Sequence, residues 1–146
     1  MSKIQDLLKK TDATDHEMNA KSTVLVIDDE RAFCDVVAEI LSNSGYEVEK
    51  AYDVDQALSI LQNIRPDLIL VDIMMPGVDG LSLTRQLRCD PCHAETPIIV
   101  ASAKSTPEDY DNAIQSGAND FLLKPFSAST LRNMIDTYLT QPHPAS

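Results

Sequence analysis

Asp67-Leu68-Ile69-Leu70-Val71-Asp72-Ile73-Met74-Met75-Pro76-Gly77-Val78-Asp79-Gly80 decides the fold. Four large apolar residues, Leu68 to Val71, run without a polar break and stop at a carboxylate, Asp72. A loop with Pro76, Gly77 and Gly80 follows. A short continuous apolar run bounded by turn residues reads as a strand buried on both faces, as in a parallel sheet. Asp72 then stands where that strand leaves the sheet. In open α/β folds this carboxyl edge is where ligands bind.

Working outward, the same pattern recurs. Thr23 to Ile27 (Thr-Val-Leu-Val-Ile) is a strand that runs into Asp28-Asp29-Glu30. Phe33, Val36, Val37, Ile40 and Leu41 recur at helical spacing, and Gly45 closes that helix. Tyr46 to Ala51 reads as a second strand with Tyr46, Val48 and Ala51 inward. Ala57, Leu58, Leu61 and Ile64 mark a second helix, stopped by Arg65-Pro66. After the central strand, Leu81, Leu83 and Leu87 predict a third helix ending near Cys89-Asp90-Pro91. Pro97 to Ala101 is the fourth strand, and Tyr110, Ala113 and Ile114 mark a fourth helix closed by Gly117. Asp120 to Leu123 holds a fifth strand, followed by Lys124-Pro125 and a last helix with Leu131, Met134, Ile135, Tyr138 and Leu139. Strand alternating with helix five times predicts a doubly wound five-stranded parallel sheet with helices on both faces.

Length and composition agree with one such domain. The chain has 146 residues, enough for a single core. We expect a domain over 22–140, an N-terminal extension over 1–21 and a tail over 141–146. Ile4, Leu7 and Leu8 in the extension have helical spacing. It reads as a mobile arm or a short partner-docking helix. The formal net charge is −11, which argues against direct nucleic acid binding because phosphates are repelled. No apolar run approaches the roughly 20 residues that cross a bilayer. No secretory signal opens the chain, so a cytoplasmic location is expected. Three cysteines, an odd number, do not suggest a disulfide scaffold.

The chemistry gathers at the strand ends. Asp28 and Asp29 follow the first strand, Asp72 the third, Ser102 the fourth and Lys124 the fifth. Each carboxylate or hydroxyl taken alone is more often a helix cap or turn residue. Five polar positions at four strand ends that a parallel sheet brings to one edge are not a chance pattern. Three carboxylates together repel, so one takes up a proton or a cation binds between them. An all-oxygen site of this kind suits Mg²⁺. A carboxylate there can attack phosphorus to give an aspartyl phosphate. Lys124 as a point charge and the Ser102 hydroxyl as a donor could then neutralise phosphoryl oxygens.

These residues resemble the receiver domain of two-component response regulators, a flavodoxin-like fold, over about Ser22 to Thr140. The likeness rests on Val-Leu-Val-Ile-Asp28-Asp29-Glu30, Leu-Ile-Leu-Val-Asp72-Ile-Met-Met-Pro76-Gly-Val-Asp-Gly80, Ile-Ile-Val-Ala-Ser102-Ala and Gly117-Ala-Asn-Asp-Phe121-Leu-Leu-Lys124-Pro125-Phe126. Among receivers it looks most like the single-domain, chemotaxis-regulator type. The resemblance implies that Asp72 accepts a phosphoryl group from a histidine kinase or a histidine phosphotransfer protein. It implies Mg²⁺ held by Asp28, Asp29, Asp72 and the Met74 backbone carbonyl. It further implies that Lys124 pairs with the phosphoryl group, in a cis Lys-Pro sequence, and that Ser102 and Phe121 form the switch. The surface of the fourth helix, fifth strand and fifth helix would then change shape toward a protein partner, including a second copy in a phosphorylation-dependent homodimer. Such a chain is a signalling switch and not an enzyme acting on other substrates.

Three departures are mild. Ser102 replaces the commoner threonine, and Phe121 replaces tyrosine, so packing carries that side of the switch. Met74, two past Asp72, has no polar side chain to position water, whereas Lys104, two past Ser102, does. In this family those two positions tune dephosphorylation, and fast self-hydrolysis is not expected. The other readings fit less well. An aspartate-nucleophile phosphatase needs an acid two residues after its nucleophile, where Met74 stands. A flavodoxin-like carrier needs a Ser/Thr/Gly-rich phosphate loop where Asp28-Asp29-Glu30 stands. A non-phosphorylated scaffold would be expected to lack part of the acidic set or the lysine. Cys89-Asp90-Pro91-Cys92-His93 matches a c-type haem attachment pattern, but that chemistry needs export, and an incidental loop is the expected reading.

Overall fold

The computed structural model describes residues 21–75, 77–103 and 106–139. The extension read over 1–21 (Lys21 apart), the tail read over 141–146, Pro76 and Lys104 lie outside the described residues.

Five strands form one sheet: β1 Thr23–Ile27, β2 Glu47–Ala51, β3 Leu68–Asp72, β4 Ile98–Ser102 and β5 Asp120–Leu123. Their order is β2-β1-β3-β4-β5, and every pairing is parallel. The helices are α1 Arg31–Asn43, α2 Val54–Leu61, α3 Gly80–Cys89, α4 Pro107–Gln115 and α5 Ala128–Leu139. This is the doubly wound five-stranded sheet predicted above.

Strand periodicity sorts the core into two layers. Val24, Val26, Leu68, Leu70, Ile99, Ala101 and Leu122 face one way and pack on Cys34, Val37 and Leu41 of α1 and Leu131 and Ile135 of α5. Leu25, Ile27, Ile69, Val71, Ile98 and Val100 face the other way, onto Ala57 of α2, Leu83 and Leu87 of α3 and Ala113 of α4. The central strands are apolar throughout because helices cover both faces.

Some details differ from the pattern reading. Tyr46 and Val48 do point inward together, but Ala51 enters the opposite layer. Side chains alternate with period two, so positions 46 and 51 cannot share a face. Helix α2 begins at its Asp53 cap and ends at Leu61, leaving Ile64 in the following turn. In α4 only Ala113 is buried, while Tyr110 and Ile114 stay exposed. A two-residue antiparallel pair, Met74–Met75 with Val78–Asp79, interrupts the loop after β3. It was not foreseen, since two-residue pieces carry no periodicity.

The loop ends are tied by side chains. Arg88, at the end of α3, donates to the carbonyls of Gly117 (2.8 Å), His93 (2.9 Å) and Thr96 (2.7 Å) and to Asn119 Oδ1 (2.6 Å). Asn119 Oδ1 also accepts from the Ile98 N–H at 2.8 Å. One guanidinium thereby fixes the entry to β4 and the entry to β5.

Candidate functional site

The strand register places the sheet's carboxyl ends side by side. Ile27 pairs with Val71, Asp72 with Ala101, and Ser102 with Leu123. Asp28, Asp72, Ser102 and Lys124 therefore emerge along one edge. Asp28 (1 % exposed), Ser102 and Asp72 (7 % exposed) are buried, whereas Asp29 is exposed.

Local bonds hold each carboxylate. Asp28 Oδ1 accepts from the Glu30 N–H at 3.0 Å, turning the chain into α1, and the Asp28 N–H donates to Ala51 O at 3.0 Å. Asp72 Oδ1 accepts from the Met74 N–H at 3.3 Å. The loop below it is closed by the Gly80 N–H, which donates to Ile73 O at 3.0 Å. A Cβ at position 80 would lie 2.3 Å from Asp72 O, so this backbone approach requires glycine.

Lys124 is brought in by β5, whose end is joined to β4 by the Lys124 N–H donating to Ser102 O at 2.8 Å. Its Nζ lies 2.8 Å from Asp28 Oδ2, 3.8 Å from Asp72 Oδ1 and 4.0 Å from the centre of the Phe33 ring. Phe33 in turn meets Phe126 edge-on at 5.8 Å. The Lys124–Pro125 peptide bond is cis. Phe33 had read as an ordinary core residue of the first helix. Its ring face, with the electron-rich side toward the ammonium, helps hold Lys124 over the carboxylates.

The electrostatics are strained toward binding a cation. One oxygen each from Asp28, Asp29 and Asp72 lies within 4.8 Å of the others, the one such cluster among the described residues. Burial first, and then the charge of Asp28, push the Asp72 carboxyl up to about 6, although Lys124 pulls it down. A single ammonium thus offsets only part of three converging carboxylates. The donor set, hard oxygens with an exposed member open to water, fits Mg²⁺.

The remaining predicted positions fall nearby. Met74 follows Asp72 by two residues, with its side chain exposed. Phe121 lies on β5, half-buried, with its ring 6.1 Å from that of Tyr110 on α4. In the Cys89–His93 run, Cys89 and Cys92 are exposed and form no disulfide, while His93 is buried. Helix-like spacing alone could not reveal that split.

Fold and site together define a three-layered α/β domain with an acidic crevice and a lysine at its sheet edge. The family model for the response regulator receiver domain matches residues 24–136, and the chain belongs to that family, the receivers of two-component systems. The phosphate regulon transcriptional regulatory protein PhoB of Pseudomonas aeruginosa is 34% identical over 122 residues, 84% of this chain and 53% of that protein. Response regulator MprA of a Mycobacterium species is 37% identical over 121 residues, 83% of this chain and 52% of that protein. The chain spans about half the length of the curated relatives it matches. Among solved structures, chemotaxis response regulator CheY4 of Vibrio cholerae matches with a TM-score of 0.78 and 32% identity, covering 82% of this chain and all of that one. A response regulator from Chloroflexus aurantiacus matches with a TM-score of 0.79 and 29% identity, covering 84% and 100%. No helix among the described residues is long and apolar enough to cross a membrane.

Proposed function

We propose that Asp72 is the phosphoacceptor of this receiver and that a histidine kinase or histidine phosphotransfer protein is the donor. An Asp72 carboxylate oxygen attacks phosphorus, the phosphorus–nitrogen bond of the donor phosphohistidine breaks, and the imidazole leaves with a proton. The single observation that carries this reading is the placement of Lys124 Nζ, 2.8 Å from Asp28 and 3.8 Å from Asp72. From there the ammonium can move onto phosphoryl oxygens as charge builds, without a large displacement.

Asp28, Asp29, Asp72 and the Met74 carbonyl would hold Mg²⁺, which when bound supplies further neutralisation of phosphoryl charge. Ser102, buried at the end of β4, would donate to a phosphoryl oxygen on Asp72. The loop after it would draw inward. Phe121 on the neighbouring strand, already in contact with Tyr110, would carry that shift to the surface of α4, β5 and α5. Phosphorylation acts by binding one arrangement of this surface better than the other. The output is control of a protein partner.

The test is intact mass after incubation with acetyl phosphate, with Mg²⁺, with chelator, and with Asp72→Asn. One phosphoryl adduct is expected only with Mg²⁺ and only with Asp72 intact. No adduct on a protein shown to be folded would overturn the proposal.

A further inference from the structure

We infer that Phe33 is a positioning residue for phosphoryl transfer: its ring face is the anchor that Lys124 keeps while its ammonium passes from Asp28 to the phosphoryl group. The inference rests on the Asp72 reading above. Among the described residues, Lys124 Nζ is held by Asp28 Oδ2 at 2.8 Å, by Asp72 Oδ1 at 3.8 Å and by the Phe33 ring, 4.0 Å from its centre. A lysine is a point charge on a flexible stem, so its neighbours decide where the charge sits.

These contacts behave differently when the charge has to move. Asp28 is also one of the three carboxylates gathered for the metal, so the ion pair is the contact that Lys124 gives up. The ring makes no such demand. A ring face attracts a cation out to about 6 Å from its centroid, so from 4.0 Å the ammonium has roughly 2 Å of travel with the contact intact. Closing the 3.8 Å gap toward Asp72 to a charged hydrogen bond of about 2.8 Å lies within that travel.

The ring is itself fixed for this task. Phe33 lies in the first turn of α1, which the Asp28 carboxylate opens by accepting from the Glu30 N–H. The Phe126 ring meets it at 5.8 Å and 80°, the edge-to-face geometry that aromatic pairs favour. Phe126 follows Lys124 by two residues, so α1 and the segment after β5 are joined at the ring that carries the ammonium. The Lys124 side chain is only 16 % exposed, and a cation over a ring is held more strongly when water is kept away.

The plain alternative is that Phe33 only fills space beside the lysine. Fluorinated phenylalanines separate the two, because fluorine draws charge from the ring face and leaves the ring's size nearly unchanged. With Mg²⁺ and acetyl phosphate, adduct formation timed by intact mass should slow stepwise through 4-fluoro-, 3,4-difluoro- and 3,4,5-trifluorophenylalanine at position 33, on the order of tenfold at the last. Phe33→Leu, which keeps an apolar side chain, should slow it similarly. Mg²⁺ affinity, followed by NMR, should not fall in any of these proteins, because Phe33 supplies no ligand. In the metal-free protein the Lys124 ε-methylene protons should lie upfield, shielded by the ring, and return to the ordinary lysine position in Phe33→Leu. A rate that stays flat across the fluorinated series would overturn the proposal, as would unshifted ε-methylene protons in wild type. A Mg²⁺ affinity that falls in step with the rate would overturn it too, by marking displaced carboxylates. No adduct on folded wild type overturns the Asp72 reading and this one with it, whereas a normal wild-type adduct with a flat series overturns this one alone.

Discussion

Lys124 Nζ ion-pairs with Asp28 Oδ2 at 2.8 Å, closer than its 3.8 Å approach to Asp72 Oδ1. The buried carboxylate of Asp28 thus has a partner, and Asp72 is left with less of the positive charge. Burial, and then the charge of Asp28, raise the Asp72 carboxyl to about 6, and Lys124, held nearer to Asp28, only partly opposes them.

Lys124→Ala should destabilise the metal-free protein by about 3 kcal/mol, because it strands the charge of Asp28 in a buried site. It should also slow phosphoryl transfer on the order of 100-fold, the usual loss when one preorganised charge partner is removed. Urea unfolding with chelator checks the first and timed adduct formation the second. A variant as stable as wild type would contradict the reading of this pair.

Asp72→Asn should abolish the adduct and yet stabilise the metal-free fold. The folded carboxyl ionises near 6 and the unfolded one near the ordinary 3.8. Between those values the folded state holds more protons, so wild-type stability falls as pH rises from about 4 to 6 and stays lowered above. Burial gives one unit a value near 1.4 kcal/mol, and water at the open side of the crevice screens part of it, leaving about 1–2 kcal/mol. The Asn variant should gain that amount at pH 8 and nothing at pH 3. Mg²⁺ should narrow the gap by stabilising wild type. Urea midpoints across this pH range, with and without Mg²⁺, read both effects.

Gly80→Ala should cost about 1–3 kcal/mol, since its methyl group would meet the Asp72 backbone carbonyl at 2.3 Å and that carbonyl cannot swing away like a flexible side chain. The displaced Asp72 should also bind Mg²⁺ more weakly, on the order of tenfold. Mg²⁺ titration followed by NMR alongside denaturation measures both.

Arg88→Met should cost about 3 kcal/mol, because one guanidinium satisfies three carbonyls and the Asn119 side chain, and charged hydrogen bonds of this kind are individually strong. Amide exchange should accelerate at Ile98 and around Gly117 more than in β1. Uniform acceleration would contradict a local role.

Native protein at pH 8 should take up two alkyl groups from iodoacetamide, at Cys89 and Cys92, and a third only on unfolding. Cys34 is buried, and burial together with the charge of Asp28 pushes its thiol up to about 11. Its reactive thiolate should appear only as pH approaches that value. Intact mass against pH tests this.

The strands were legible in the sequence because parallel strands covered on both faces need unbroken apolar runs. Val24 to Ile27, Leu68 to Val71 and Ile98 to Ala101 have no other good reading. Their order of ends also marked Asp28, Asp29, Asp72, Ser102 and Lys124 as one group, since topology alone brings parallel carboxyl ends together. What the pattern could not carry was depth and pairing. Asp28 and Asp29 are adjacent in sequence, but one is buried on Lys124 and the other open to water. Alternation along the chain distinguishes faces, not distances across the sheet.

Local periodicity likewise marked α4 by Tyr110, Ala113 and Ile114, but only the packed structure shows that Ala113 alone enters the core. A helix at the sheet's last strand has less surface to cover, so two of its apolar residues are left to solvent. The link from Arg88 to Gly117 and Asn119 and the Phe33 ring under Lys124 were equally out of reach, because these partners lie 29, 31 and 91 positions away along the chain. The sequence by itself therefore determined the fold, the edge and the residue types of the crevice. Only the tertiary structure decided which carboxylate holds the lysine and which apolar face remains open, because both depend on contacts between elements far apart in the chain.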